Sequence, residues 1–238
     1  MFDRSPDTQN VPNETKPSDE INPSRRKLTG AALGVSAVFT LSSRPVWAGQ
    51  CMTPSAAVSG NLSQHGTPTL CSGLSPGYWK EHAESWPPPY APGTATNANI
   101  NPNASASAGG QGYANQVQSW SGGTLFHPVF SGSQFMADID GNATTDKTSL
   151  SMMQVMIMSD GNNPWGLNDP DNLGAHIVAA LLNAKMGFTT GALSEAQIIN
   201  MWNEWWDNGG PNGGYFEPTA NVKWSSAQIV KYIVSTFG

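Results

Sequence analysis

The chain has 238 residues and a formal net charge of −6, with 17 acidic and 11 basic side chains. All four arginines lie before Gly49, and the residues from Gly49 onward carry five lysines and twelve acidic side chains. Because proteins bind nucleic acids and phosphate groups through basic patches and arginine side chains, this composition argues against a nucleic-acid-binding protein and against a cytoplasmic nucleotide enzyme.

The first predicted element is an export signal. Arg25 and Arg26 directly precede a weakly apolar stretch of 14 residues, 28–41. A membrane span needs about 20 mostly apolar residues, so this stretch matches the central region of a signal peptide instead. Paired arginines at its edge predict export through the twin-arginine (Tat) translocase, and residues 46–48 offer a small-residue cleavage site. Residues 1–48 are therefore predicted to be a disordered polar segment followed by the signal peptide.

The mature chain is predicted to begin with an extended lead-in at 49–75, which holds both cysteines, Cys51 and Cys71. In an oxidising compartment these two residues are expected to form one disulfide, and two free thiols are the alternative. The expected location is therefore the periplasm or the extracellular space, with no transmembrane span in the mature chain.

Residues 76–238 are predicted to form one small, mainly α domain of four or five helices with long Gly-, Asn- and Pro-rich loops. Within it, residues 91–112 have the composition of a low-complexity surface loop. Apolar residues at helical spacing then predict helices over 148–159 and over 173–186, and the second of these is apolar on nearly every face. This second helix is expected to be central and buried.

Helix ends are predicted from capping residues. Ser194 and Ser225 are each followed by Gln three positions later, which is the pattern of a capping box. Asp171 or Asn172 is expected to cap the start of the buried helix, and Gly187 is expected to end it. A stripe of tryptophans after Ser194 is predicted to pack into the core. It comprises Trp202, Trp205 and Trp206.

Two sequence blocks resemble a family of secreted bacterial domains without an established activity. The first block is Pro76-Gly77-Tyr78-Trp79-Lys80-Glu81-His82, and the second is His176-Ile177-Val178-Ala179-Ala180-Leu181-Leu182-Asn183-Ala184. The resemblance spans roughly residues 71–238, and it departs from the family at Glu81, where asparagine is usual. It implies a fold and an extracytoplasmic location, and it implies no reaction.

The same blocks contain the candidate catalytic residues Lys80, Glu81, His82 and His176. Two histidines that meet in space can form an acid–base pair or bind a metal, with His127 as a third ligand for zinc. The alternative is that these histidines are hydrogen-bonded residues with a purely structural role.

Two kinds of binding site are further candidates. Four aromatic residues near the prolines, Tyr78, Trp79, Trp86 and Tyr90, are candidates for a binding surface, and the alternative is that they attach this segment to the core. Oxygen ligands at alternate positions give a weak calcium motif that departs from the EF-hand pattern. Its candidate ligands are Asp138, Asp140, Asn142 and Asp146. A second acidic loop at 160–172 can bind calcium or cap the buried helix, and no other cofactor is evident.

The sequence therefore predicts an exported, extracytoplasmic, non-catalytic module that binds a polysaccharide or a cell-surface protein. The alternative is a hydrolase or metal-dependent enzyme that uses His82 and His176. The Tat translocase is the expected partner during export, and a nucleic acid is not expected as a partner.

Overall fold

The computed structural model describes residues 51–59, 70–96, 119–138, 147–158 and 165–238. The predicted signal segment, most of the predicted loop at 91–112 and three of the four predicted calcium ligands lie outside these ranges.

Helices dominate the described residues, as the sequence predicts. The seven α-helices in this part of the chain are α1 (Pro54–Ser59), α2 (Pro76–Glu81), α3 (Phe126–Val129), α4 (Met152–Met158), α5 (Leu173–Lys185), α6 (Glu195–Asp207) and α7 (Ser226–Val234). Short 3-10 turns occupy Ala83–Ser85, Pro170–Asn172 and Gly210–Asn212. The mainly α class is confirmed, whereas the expected count of four or five helices is not.

The strands of the described residues form three separate antiparallel pairs. They are β1 (Thr94–Ala95) with β2 (Trp120–Ser121), β3 (Met136–Ala137) with β4 (Thr148–Ser149), and β5 (Phe216–Thr219) with β6 (Val222–Trp224). The register pairs Thr94 with Ser121, Met136 with Ser149, and Phe216 with Trp224. Pairs this short cannot form a core of their own. They fix loops onto the helices instead.

Helix α5 is the centre of the domain. Its apolar side chains are buried on nearly every face, and α2, α4, α6 and α7 all pack against it. A helix that is apolar all round must be surrounded by other elements, since any exposed face would leave apolar area in water. The predicted central helix over 173–186 is confirmed with an end at Lys185.

Local capping signals in the sequence correctly predict several helix ends. The Oε1 atoms of Gln197 and Gln228 accept hydrogen bonds from the backbone N–H groups of Ser194 and Ser225, at 2.8 and 2.9 Å. Gly187 follows α5 with a φ of 79°, a left-handed conformation that glycine adopts without steric cost. The predicted starts of α6 and α7 and the predicted end of α5 are confirmed.

Asn172 occupies the N-cap position of α5, as predicted, but the expected side-chain cap is wrong. Asp171 and Asn172 have φ values of 58° and 55°, and neither side chain caps the helix. The Asp171 carboxylate instead accepts a hydrogen bond from the Ser226 hydroxyl at 2.5 Å. The cap comes from Asp169, whose Oδ1 accepts a hydrogen bond from the Gly174 N–H at 2.9 Å.

The predicted disulfide between Cys51 and Cys71 is present, with the two Cα atoms 4.8 Å apart. Both cysteines are buried and pack with Ala192 in a small cluster apart from the main core. Nearby, the Tyr232 hydroxyl donates to the Met52 carbonyl oxygen at 2.6 Å. The disulfide and this hydrogen bond fix the segment that carries α1 to the helical domain.

Replacing both cysteines by serine (C51S/C71S) in the full chain is expected to lower the free energy of unfolding by about 3 kcal/mol, because the bond closes a loop of 20 residues in the unfolded chain. Urea denaturation of both proteins measures the loss. Dithiothreitol should destabilise the wild type by a similar amount and leave the double variant unchanged. Equal stability of the two oxidised proteins would contradict a stabilising role for the bond.

Candidate functional site

The two sequence blocks meet at the side chain of Asn183. This residue lies in α5 and is completely buried. Its Oδ1 accepts hydrogen bonds from the Leu74 N–H at 2.8 Å and from the Trp79 indole N–H at 3.1 Å, and its Nδ2 donates to the Leu74 carbonyl oxygen at 2.8 Å. The amide thus pairs with both backbone groups of one residue, Leu74, much as a neighbouring β-strand would. No local sequence pattern distinguishes Asn183 from the other polar residues of α5, His176 and Lys185.

The lead-in next to Leu74 is held by the end of the chain as well. Gly73 forms a parallel bridge with Phe237, and its N–H donates to the Thr236 carbonyl oxygen at 3.1 Å. A Cβ on Gly73 would lie 2.7 Å from that oxygen and 3.0 Å from Nδ2 of Asn183. Only glycine fits this closely packed position.

Two of the four aromatic binding candidates lie in the core. Trp79 and Trp86 are 1% and 7% exposed, and the Trp86 indole N–H donates to the Trp79 carbonyl oxygen at 3.0 Å. Side chains this buried cannot contact a ligand through a ring face. They attach the Pro-rich segment to α5 instead.

The other two aromatic candidates, Tyr78 and Tyr90, are half-buried. The Tyr90 hydroxyl donates to Oε2 of Glu195 at 2.7 Å, and Lys185 lies 3.3 Å from the same carboxylate. Burial first, and then the Glu195 carboxylate, raise the pKa of Tyr90 well above its ordinary value. Tyr90 is therefore a neutral hydrogen-bond donor that joins the Pro-rich segment to the start of α6.

The first motif histidine, His82, follows α2. Its Nδ1 lies 3.0 Å from the Tyr78 carbonyl oxygen, and its ring stacks on the Tyr78 ring with 4.0 Å between centroids. Since a carbonyl oxygen only accepts, Nδ1 carries the proton. The neighbouring Glu81 is exposed.

The second motif histidine, His176, makes the same kind of bond. Its Nδ1 donates to the Asn172 carbonyl oxygen at 2.8 Å, four residues earlier, as His82 does to Tyr78. Burial lowers the pKa of His176, the Asn172 carbonyl opposes that effect, and the positive charge of Lys80 lowers the pKa further. Lys80 is 8% exposed, and the packing of α2 on α5 brings it into electrostatic range of His176.

The third candidate metal ligand, His127, has both ring nitrogens in use. Nδ1 donates to the Phe130 carbonyl oxygen at 2.6 Å, and Nε2 accepts a weak hydrogen bond from the Phe135 N–H at 3.4 Å. Burial lowers the pKa of His127 although the Phe130 carbonyl favours the charged form. Within the described ranges, no three His, Cys, Asp or Glu side chains are grouped so that they could hold a metal ion.

The predicted calcium ligands Asp140, Asn142 and Asp146 lie outside the described residues. Asp138 is described, and its backbone carbonyl oxygen accepts a hydrogen bond from the Trp165 indole N–H at 3.2 Å. This contact ties the start of the predicted calcium segment to the residues that lead into α5. Calcium binding stays a prediction.

Two of the three tryptophans of the α6 stripe lie in the core, as predicted, and Trp206 is half-buried. Trp202 and Trp205 are buried, and the Trp202 indole N–H donates to the Ser131 carbonyl oxygen at 3.0 Å. Trp206 is covered by Gly132, where a Cβ would lie 2.3 Å from the indole ring. On the same helix, Glu204 accepts a hydrogen bond from the Glu217 N–H at 2.7 Å, which fixes β5 to α6.

Comparison with known proteins gives no family assignment. No protein-family model, no curated protein and no solved structure matches the chain. In the part of the chain that the structure describes, no helix is long and apolar enough to cross a membrane. The resemblance carried by the two sequence blocks stays a prediction.

Replacing Asn183 by leucine is expected to lower the free energy of unfolding by about 3 kcal/mol, because it leaves the Leu74 peptide and the Trp79 N–H without partners in the core. Urea denaturation of the full chain measures the change. Asn203→Leu is the matched control, since Oδ1 of Asn203 accepts one hydrogen bond, from the exposed Ser131 N–H at 2.8 Å. An equal loss in both variants would contradict the special role of Asn183.

The stabilising effect of His127 is expected to fade as the pH falls. Its pKa lies below the ordinary value of 6.5 in the folded protein, so the unfolded chain takes up the proton first and acid favours unfolding. The melting temperature of the wild type should therefore exceed that of His127→Gln by less at about pH 5 than at about pH 7.5. Asp169 is present in both proteins, so its opposite pH dependence cancels. A difference that stays constant over this range would contradict the assignment.

Proposed function

We propose that the chain is an extracytoplasmic protein, exported by the Tat translocase, whose mature part is a non-catalytic module. The observation that carries the proposal is the disulfide between Cys51 and Cys71, which both lie within the first 23 residues after the predicted signal peptide. Disulfides of this kind persist in oxidising compartments and are rare in the cytosol. The twin arginines at Arg25 and Arg26 supply the matching export signal.

The hydrogen bonds made by the two sequence blocks support a non-catalytic role. Trp79 and Asn183, one from each block, hydrogen-bond to each other in the core. The Nδ1 atoms of His82 and His176 are both committed to backbone carbonyl oxygens. Polar atoms that bind the backbone of their own domain act in folding, so we infer that these groups specify the fold and that a partner contacts other groups.

A polysaccharide or a cell-surface protein is the partner class that we propose for this module. The acidic, arginine-free composition after Gly49 disfavours phosphate-rich partners. The partly exposed ring of Tyr78 is an aromatic surface that can pack against a sugar or an apolar side chain. Calcium is a candidate ligand of the segment that begins at Asp138.

One observation favours the alternative, a hydrolase or metal-dependent enzyme. Lys80 lies within electrostatic range of His176, and with Nδ1 protonated the neutral His176 ring carries its lone pair on Nε2. A charged lysine within electrostatic range of an imidazole is a combination that acid–base sites use. The packing of α2 on α5 accounts for this proximity without a catalytic role, and that simpler explanation agrees with the hydrogen bond between Trp79 and Asn183.

Lysine substitution of both Arg25 and Arg26 is expected to leave the full-length precursor in the cytoplasm, because the Tat translocase reads the paired guanidinium groups. Cell fractionation followed by immunoblotting measures the exported share. The matched control is Arg44→Lys, which changes an arginine of the same region outside the pair and should export normally. Normal export of the Arg25 and Arg26 double variant would overturn the Tat route.

A further inference from the structure

Asp169 and Pro170 form the sole Asp–Pro peptide bond of the chain, at the entrance to α5. An Asp–Pro bond is weaker than other peptide bonds for two chemical reasons. The aspartate carboxyl can close a five-membered ring on its own carbonyl carbon, and the proline nitrogen leaves readily because it belongs to a tertiary amide without an N–H. A folded protein suppresses the attack when hydrogen-bond donors hold both carboxyl oxygens.

Only one of the two carboxyl oxygens of Asp169 accepts a hydrogen bond from a described residue. Oδ1 accepts the hydrogen bond from the Gly174 N–H at 2.9 Å. Oδ2 is buried and has no hydrogen-bond partner among the described residues. A buried oxygen that accepts no hydrogen bond is not stabilised in its position by the surrounding protein. Oδ2 is therefore the atom that is available for attack.

The carbonyl group under attack is polarised, and the turn that follows it is strained. The Asn172 N–H donates to the Asp169 carbonyl oxygen at 3.2 Å, which draws electron density away from the carbonyl carbon. Asp171 and Asn172 both adopt left-handed backbone conformations, with φ values of 58° and 55°. Two consecutive non-glycine residues in this region are uncommon and cost free energy.

We propose that the chain cleaves itself between Asp169 and Pro170. Oδ2 of Asp169 forms a bond to the Asp169 carbonyl carbon, the bond from that carbon to the Pro170 nitrogen breaks, and the carboxyl proton passes to the nitrogen. This step yields a cyclic anhydride at Asp169 and a secondary amine at Pro170. One water molecule then opens the anhydride to the two carboxyl groups of a C-terminal aspartate, so the net reaction is hydrolysis of one peptide bond.

The protonation state of Asp169 supports this reaction. Burial raises the pKa of Asp169 to about 7, although the N–H groups of Gly174, Ala175 and Leu173 act in the opposite direction. The folded protein therefore keeps the proton that the leaving nitrogen needs at pH values where an unfolded aspartate, with a pKa of 3.8, has lost it. Folded-state cleavage thereby differs in its pH range from the ordinary acid cleavage of an unfolded chain.

The test is to incubate the full chain at about pH 5.5, folded and in urea, and to measure fragments by mass spectrometry under denaturing conditions. The folded protein should release fragments 1–169 and 170–238, with masses that sum to the parent mass plus one water. Its rate should exceed the rate in urea by about tenfold or more, and it should fall as the pH rises through about 7. Equal rates in both states, or an intact folded chain, would overturn the proposal.

Two variants and one internal control complete the test. Asp169→Asn keeps an oxygen acceptor for Gly174 and removes the acid, whereas Pro170→Ala keeps the acid and replaces the proline nitrogen by an ordinary peptide nitrogen, which leaves less readily. Both should suppress cleavage, and a wild-type rate in Pro170→Ala would contradict the mechanism whether or not Asp169→Asn folds. Glu217–Pro218 is the internal control, because its longer side chain closes a less favourable six-membered ring. Fragments at that bond at an equal rate would show general lability and overturn the assignment.

Discussion

The amide of Asn183 is the interaction on which the arrangement of the domain depends. It is the point where the lead-in, the Pro-rich aromatic segment and the central helix are joined by hydrogen bonds. Apolar packing alone does not fix the register between two segments, since it is non-directional. A buried amide does fix this register, because its donor and its acceptor must each hydrogen-bond to one particular partner. A buried polar group without a partner lowers the stability of the fold.

Both histidines of the sequence blocks use one ring nitrogen to bind the backbone. His82 and His176 each donate from Nδ1 to a carbonyl oxygen four residues earlier. The same residue types that would carry acid–base chemistry in an open cleft here satisfy backbone groups. Residue type and spacing alone therefore could not distinguish a catalytic histidine from a structural one.

The structural features whose determinants are local were predicted correctly from the sequence. The capping glutamines Gln197 and Gln228 act within one helical turn, and the burial of α5 follows from its apolar composition. The side-chain cap of α5 was predicted wrongly, because the left-handed turn at Asp171 and Asn172 redirects the Asp171 side chain to Ser226, which lies 55 positions later. The role of Asn183 depends on a partner 109 positions away, which no local pattern reveals.

The pairing of the lead-in with the end of the chain has a consequence for biosynthesis. Gly73 leaves the ribosome early, but its bridge partner Phe237 and the N–H of Gly238, which donates to the Gly73 carbonyl oxygen at 2.9 Å, are synthesised more than 160 positions later. The domain therefore cannot close while these residues are still in the ribosomal tunnel. A translocase that accepts only folded cargo would have to wait for this closure.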